Sequence, residues 1–184
     1  MKKIFILILS IISVTACNVG IDKIDNTPTK KVETYMNNYQ TLNEDVLDDL
    51  DLVIAKETTF TDKQKQAYRD IIKKHFKNLD YTIKDETING DTATIEVEIE
   101  VTDFYKELND TTNSNYKTKE DFYSDEGEPN DEAYNNYRLE RLKSAKETIK
   151  YTLYLSCQKD NEGNWALDDL TDEQEQKILG MYPH

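Results

Sequence analysis

The chain has 184 residues, with 37 acidic against 23 basic side chains and a formal net charge of −14 at pH 7. This length fits one ordinary domain with enough chain to bury a hydrophobic core. Because the acid excess repels phosphate backbones, the composition argues against nucleic acid as a partner.

The first 17 residues have the pattern of an export signal. Lys2 and Lys3 precede an apolar run over residues 4–14, which is too short to span a bilayer, and small residues follow it up to Cys17. A plain secretory signal and an uncleaved N-terminal helix are alternatives. The sequence Val-Thr-Ala-Cys at residues 14–17 resembles the lipobox of bacterial lipoproteins, whose cysteine receives a diacylglyceryl group before the signal is cleaved.

The lipobox resemblance implies a signal peptide at residues 1–16 and lipidation of Cys17. At least two acyl chains would then hold the protein on the extracytoplasmic face of a cell membrane, and two chains make such an attachment stable. We expect residues 17–30 to be the lipidated cysteine and a tether, and residues 31–184 to form a single domain. Cys157 is then left without a disulfide partner, and we interpret it as a small core residue rather than a nucleophile.

Helical spacing dominates the first part of the domain. Apolar residues from Val32 to Ile54 predict one bent helix or two short ones, with aspartates largely on a solvated face. Thr61 and Gln64 form a capping box that opens the next helix. His75 lies at the edge of its apolar stripe, and we predict a partly buried packing residue with one satisfied nitrogen, in preference to a general base or a metal ligand.

Strict alternation then predicts strands. Residues 81–88 and 92–102 flank Asn89-Gly90, a strong hairpin signal. A two-residue Asn89-Gly90 loop would put Ile83 on the wrong face, so we predict a longer turn or a bulge that sets Ile83 opposite Ile95 or Val97. The acidic ladder Glu96, Glu98 and Glu100 is read as a solvated sheet face. A second hairpin is predicted at residues 151–157 and 165–167.

Residues 103–130 interrupt these patterns and form a polar insertion that is either disordered or functional. No glycine in it has the oxygen ligand spacing of a calcium loop. A third helix is predicted from Asn130 or Asp131 through Ile149, with a basic cluster that extends to Lys150, and Thr171 and Gln174 cap a short last helix. His184, the last residue, is expected to fray. Aromatic side chains in and after the insertion give a candidate binding surface: Tyr105, Tyr116, Phe122, Tyr123, Tyr134 and Tyr137.

These elements predict an α+β fold, a curved antiparallel sheet of about four strands packed on N-terminal helices. The order of elements, the hairpin YTIKDETINGDTATIEVEIEV and the terminal hairpin ending NEGNWALDDL resemble the cystatin-like or nuclear-transport-factor-two-like folds found in small bacterial lipoproteins. The resemblance covers about residues 31–165. Proteins with these folds include enzymes, carriers and interaction modules, so the resemblance implies no particular activity.

The functional expectation is a lipid-anchored binding or interaction module with a protein or small-molecule partner. One alternative is a carrier that holds a small molecule inside the cone of the sheet. Another is an enzyme that uses His75 as a base with Asp70 or Asp85. Because no motif for catalysis, a metal or a cofactor is found, no residue is assigned to such a role.

Overall fold

A computed structural model describes residues 26–184, and the predicted signal peptide, Cys17 and most of the tether lie outside them. The structure confirms the predicted fold class: helices precede an open, curved sheet of four antiparallel strands. The elements are α1 Pro28–Thr41, α2 Glu44–Ala55, α3 Asp62–Lys77, β1 Asp80–Asn89, β2 Thr92–Thr102, α4 Phe104–Asn109, a 3₁₀ helix Lys119–Phe122, α5 Asp131–Ser144, β3 Thr148–Lys159, β4 Trp165–Leu167 and α6 Asp172–Ile178.

The first predicted helical stretch is two helices, α1 and α2. The side chain of Thr27 caps α1 and Pro28 stands in its first turn, where a missing N–H costs nothing. The predicted tether is therefore too long, because residues 28–30 are already helical. Leu42 adopts a left-handed conformation with a φ of +53°, which ends α1 and separates it from α2.

The strands follow each other in the order β1-β2-β3-β4. The longest ladder joins β2 to β3 without a break, from the pair Thr92 and Gln158 to the pair Thr102 and Thr148. Helix α1 packs on the inner face and contacts all four strands. The alternating apolar residues of β2 and β3 point into this layer and are buried, whereas their neighbours point to solvent.

The first hairpin contains a bulge, which is one of the two predicted alternatives, and its two-residue loop begins one position after Asn89. Asn89 pairs with Thr92, so the two-residue loop is Gly90-Asp91, and Gly90 takes a φ of +65°. The register shifts between Ile83 and Asp85, which leaves Lys84 as the extra residue. Ile83 then lies opposite Val97, on the buried face.

The third helix is shorter than predicted. Helix α5 ends at Ser144, and Ile149 and Lys150 belong to β3 instead. The reason is that the alternating pattern of β3 begins at Thr148, where pairing with Thr102 of β2 extends the ladder. The predicted basic cluster is therefore divided between helix, connection and strand.

The space between the curved sheet and the helices, called the cone above, is filled by side chains. Met36 of α1 and Ile72 of α3 are fully buried against Ile95, Ile99 and Leu155 of the sheet. Within residues 26–184, no helix is long and apolar enough to cross a membrane.

Candidate functional site

The insertion, residues 103–130, is held firmly where it leaves the sheet. Asp103 is buried; its carboxylate accepts a hydrogen bond from the Lys106 backbone N–H at 2.8 Å and so caps α4. The buried guanidinium of Arg141 on α5 forms an ion pair with Glu107 at 3.0 Å and also donates to its carbonyl oxygen. A charged pair with so little exposure fixes α4 against α5.

Three of the six candidate aromatic residues form one cluster. The ring of Phe122 lies 5.6 Å from that of Tyr134 and 5.4 Å from that of Tyr137. The Tyr137 hydroxyl accepts from the Lys117 backbone N–H at 2.9 Å and donates to the Asn115 carbonyl at 3.2 Å. Helix α5 thus supports the insertion through ring packing and backbone hydrogen bonds.

A small hairpin at residues 122–130 begins at Phe122, which belongs to this aromatic cluster. Tyr123 and Pro129 form a β-bridge, and the Asn130 N–H donates to the Phe122 carbonyl at 3.0 Å. The turn closes through a bond of 2.9 Å from the Gly127 N–H to the Ser124 carbonyl, with Gly127 at a φ of +82°. The backbone of the hairpin is therefore held by its own hydrogen bonds.

The surface of this hairpin is acidic and carries an exposed ring. Residues 120–132, called the tip segment below, contain seven acidic and no basic side chains. Tyr123 is 46 % exposed, whereas Phe122 below it is half-buried. Only Asp131 of this segment forms an ion pair among the described residues, with Lys119. This acid run lacks the spacing of a calcium loop, and its spacing in the sequence does not indicate that a hairpin exposes it to solvent.

Tyr105 and Tyr116 take no part in the ring contacts of Phe122. Tyr116 is half-buried in the loop before the 3₁₀ helix. Tyr105 packs on His184, with ring centres 5.6 Å apart, and its N–H donates to the Gly180 carbonyl at 2.8 Å. The six residues therefore do not form a single surface.

The expectation that His184 frays is wrong. Its Nε2 lies 3.2 Å from a carboxylate oxygen of Asp103, and its ring also approaches Tyr151. The C-terminal residues thus close over the base of the insertion. No local pattern in the sequence predicts this contact, because Asp103 and His184 are 81 positions apart.

The base of the insertion and the start of the described chain lie at opposite ends of the sheet. Asn26 accepts from the Trp165 N–H at 2.8 Å and lies beside the turn between β3 and β4. The insertion follows β2 after Thr102, and α5 leads the chain back into β3 at Thr148. Both positions lie at the far end of the unbroken ladder. Ten residue steps at about 3.4 Å each put about 34 Å between the two ends.

His75 is a buried packing residue with one satisfied nitrogen, as predicted, although it is more deeply buried than expected. Its Nε2 bonds to the Ile178 carbonyl at 2.8 Å, which requires the hydrogen on Nε2, while Nδ1 has no partner among the described residues. Burial lowers the pKa of His75 from 6.5 to about 4.

The surroundings of His75 do not support its use as a base. The carboxylate of Asp70 accepts from Gln66 instead, and Asp85 lies on β1 opposite Glu96. Phe76 and Phe104 pack against the imidazole ring. His75 lines neither of the two best-formed clefts described below.

These two clefts are small. One of about 60 Å³ lies between α3 and α5, beside Tyr68 and Arg138, and one of about 90 Å³ lies beside Asp103 and Arg141. Pockets for small molecules usually measure about 300–1,000 Å³. Together with the filled cone, these volumes argue against the carrier.

The remaining chemical groups also have structural roles. Within residues 26–184 no group of three or more histidine, cysteine or acidic side chains is placed to hold a metal ion. Glu98 of the acidic ladder pairs with Lys84 and Lys150 at 3.3 and 3.2 Å. Cys157 is fully buried, and burial raises its pKa to about 11, which disfavours the nucleophilic thiolate.

No protein-family model, curated protein or solved structure matches this chain.

Proposed function

We propose that the protein is a lipid-anchored extracytoplasmic interaction module that presents its tip segment to a positively charged partner protein. The observation that carries this proposal is that the insertion, which contains most of the tip segment, leaves the sheet at the end opposite Asn26. If Cys17 is the anchor, the eight residues between it and Asn26 reach at most about 30 Å. The end of the sheet near Asn26 is then the nearer to the membrane, and the insertion that carries the tip segment leaves the sheet at the other end.

The composition of the tip segment supports recognition of a protein. Tyrosine offers a large contact area at low entropic cost, and the ordered backbone reduces the entropy that binding removes. Seven acidic side chains without a basic one favour a partner of opposite charge and accelerate its encounter. The proposed cystatin-like or nuclear-transport-factor-two-like relationship is compatible with this use, since such folds include interaction modules.

Replacing Cys17 with serine is expected to release the protein from membranes almost completely, because serine cannot form the thioether to the diacylglyceryl group. The measurement is fractionation of cells that express the full chain. The control is Cys157→Ser, which also removes a thiol but is expected to leave the protein membrane-bound. A Cys17→Ser protein that stays with the membranes would show that the anchoring proposal is wrong.

Changing the tip segment by Tyr123→Ser, Glu126→Gln and Glu128→Gln is expected to reduce crosslinking to the partner by about tenfold or more, since loss of an interface aromatic residue often costs at least 1.4 kcal/mol. The measurement is chemical crosslinking on intact cells with mass spectrometry of the products. Crosslinking to the wild type should also fall as salt increases, because exposed charges are screened.

The matched control for the tip variant is Tyr154→Ser with Glu96→Gln and Glu100→Gln. It removes one exposed tyrosine and two acids from the outer sheet face, where Tyr154 is 59 % exposed and lies opposite Glu96. This control is expected to retain the crosslinked partner. Equal loss in both variants, or no product that depends on the tip segment, would contradict the proposed surface.

A further inference from the structure

The outer side of helices α2 and α3 carries two parallel rows of opposite charge. Helix α2 contains five acidic and no basic side chains, whereas α3 contains six basic and two acidic ones. The helices pack side by side and are joined by two hydrogen bonds from Arg69 to Asp51, at 2.6 and 3.0 Å. This surface differs from the tip segment in position and in charge pattern.

Most of these charges have no counterpart within the described residues. On α2, Asp45 and Asp48 are exposed and form no ion pair with residues 26–184. Burial raises the pKa of their neighbour Asp49, and the charges of Asp45 and Asp48 raise it further, so the acids repel one another. On α3, Lys73 and Lys77 continue the row of Arg69 at four-residue spacing and also lack an ion pair in this part of the chain.

An exposed leucine adjoins the acidic row. Leu52 is 58 % exposed and lies one turn from Asp48 on the outer side of α2. It is one of the few large apolar side chains that the described residues leave open to solvent. A surface that approaches it with the methylene stems of lysine and arginine would cover it.

A partner of uniform charge fits one of the rows and is repelled by the other. Consider a partner that carries the same two rows and is rotated by 180° about an axis that runs between the rows. Its basic row then faces the acidic row of the first molecule, and its acidic row faces the basic one. A second copy of this chain has that surface, and under this rotation its basic row lies over Leu52. We propose that the α2 and α3 surface forms a two-fold symmetric contact between two copies of the protein.

The size of this surface makes the contact weak. Helix α2 is about 18 Å long, and two packed helices are about 20 Å wide, so each copy contributes about 360 Å². The total is below the roughly 1,200 Å² of a stable interface. Here the inference rests on the proposed anchoring, because confinement to one membrane raises the effective concentration of the copies.

Crosslinking through Leu52→Cys tests the contact directly. In cells that express the full chain, a short bifunctional maleimide is expected to give about fivefold more dimer with Leu52→Cys than with Tyr154→Cys, as an association preference of roughly 1 kcal/mol would produce. The two side chains are matched in exposure, at 58 % and 59 %, and the native Cys157 is buried. Equal dimer yield from the two variants would overturn the proposal.

Charge reversal distinguishes a specific contact from random collision, because a crosslink formed by random collision would not follow the charges of the two rows. In the Leu52→Cys background, Asp48→Lys is expected to lower the dimer yield to the level of Tyr154→Cys, because it places lysine opposite the basic row. Adding Lys73→Glu to the same chain restores complementarity and should recover most of the yield. A double variant that stays as low as Asp48→Lys alone would contradict the two-fold arrangement.

Fractionation of the same cells shows whether a missing dimer results from the absence of the contact or from the absence of the membrane anchor. A membrane-bound Leu52→Cys protein without dimer contradicts the contact between copies and leaves the anchor intact. A Leu52→Cys protein found in the soluble fraction contradicts the anchor instead. Combining Cys17→Ser with Leu52→Cys should abolish the dimer product, whereas the tip variant should not affect it.

Discussion

Replacing Gly180 with alanine is expected to destabilise the protein by about 3 kcal/mol or more, since an added side chain has no room and the backbone disfavours it. Gly180 has a φ of +66°, and a Cβ atom there would lie 2.0 Å from the Thr102 carbonyl oxygen and 3.3 Å from the His75 ring. The backbone oxygen cannot move alone, because Thr102 is held in the ladder with Thr148.

The position of Gly180 explains why this effect should spread. It follows α6 in a Schellman motif, in which the Gly180 N–H donates to Lys177 and the Met181 N–H donates to Gln176. Its carbonyl accepts from Tyr105 at the base of the insertion. A shift of Gly180 therefore disturbs α6, the insertion and the packing of His75 together.

Gly90→Ala is the matched control for Gly180→Ala. Gly90 has nearly the same φ, +65°, but no atom lies within 4 Å of the position where a Cβ would be added. We expect it to cost only about 1 kcal/mol, the price of the left-handed backbone for a residue other than glycine. Denaturant unfolding of both variants measures the difference, and equal losses would show that the close approach to Thr102 costs nothing.

Local signals were sufficient to predict most of the elements. The capping boxes at Thr61 and Thr171 give side-chain and backbone bonds to residues three positions on, so the sequence contains the whole interaction. The alternation in β2 likewise requires one buried face, and together with the hairpin signal it predicted a longer turn or a bulge, of which the structure has the bulge. These are interactions over a few residues.

The candidate site depends on contacts between distant residues, and these could not be predicted. Whether Phe122 meets Tyr134 and Tyr137 depends on how α5 packs, which no spacing encodes. The end of α5 was missed for the same reason, because Ile149 suits a helix as well as a strand until β2 pairs with it. The contact between His184 and Asp103 is a third example of this kind.

Acidification from about pH 6.5 to pH 4 is expected to cost the folded protein about 3 kcal/mol through His75 alone. Burial lowers the pKa of His75 to about 4, below the value of 6.5 expected for an unfolded chain. The folded state therefore resists the proton that the unfolded state accepts. The contribution of neutral His75 to stability is complete above pH 6.5 and is lost as the pH falls toward 4.

Other groups titrate in the same range, so a single melting curve does not isolate His75. Burial and nearby acids raise the pKa of Asp49 and Glu175, which are most favourable to folding when protonated and lose that contribution as the pH rises. Hydrogen bonding from Arg69 lowers the pKa of Asp51, whose contribution is lost as the pH falls. The contributions of these three acids to the pH dependence of stability are the same in the wild type and in a variant changed only at His75.

The variant His75→Gln removes the titration and keeps an N–H donor for the Ile178 carbonyl. We expect its unfolding free energy to fall less between pH 6.5 and pH 4, by about 3 kcal/mol, even if it is less stable at pH 7. His184→Gln removes the other histidine and should keep most of the wild-type decline. Denaturant unfolding at a series of pH values gives both slopes, and parallel curves for the wild type and His75→Gln would show that burial does not control the protonation of this ring.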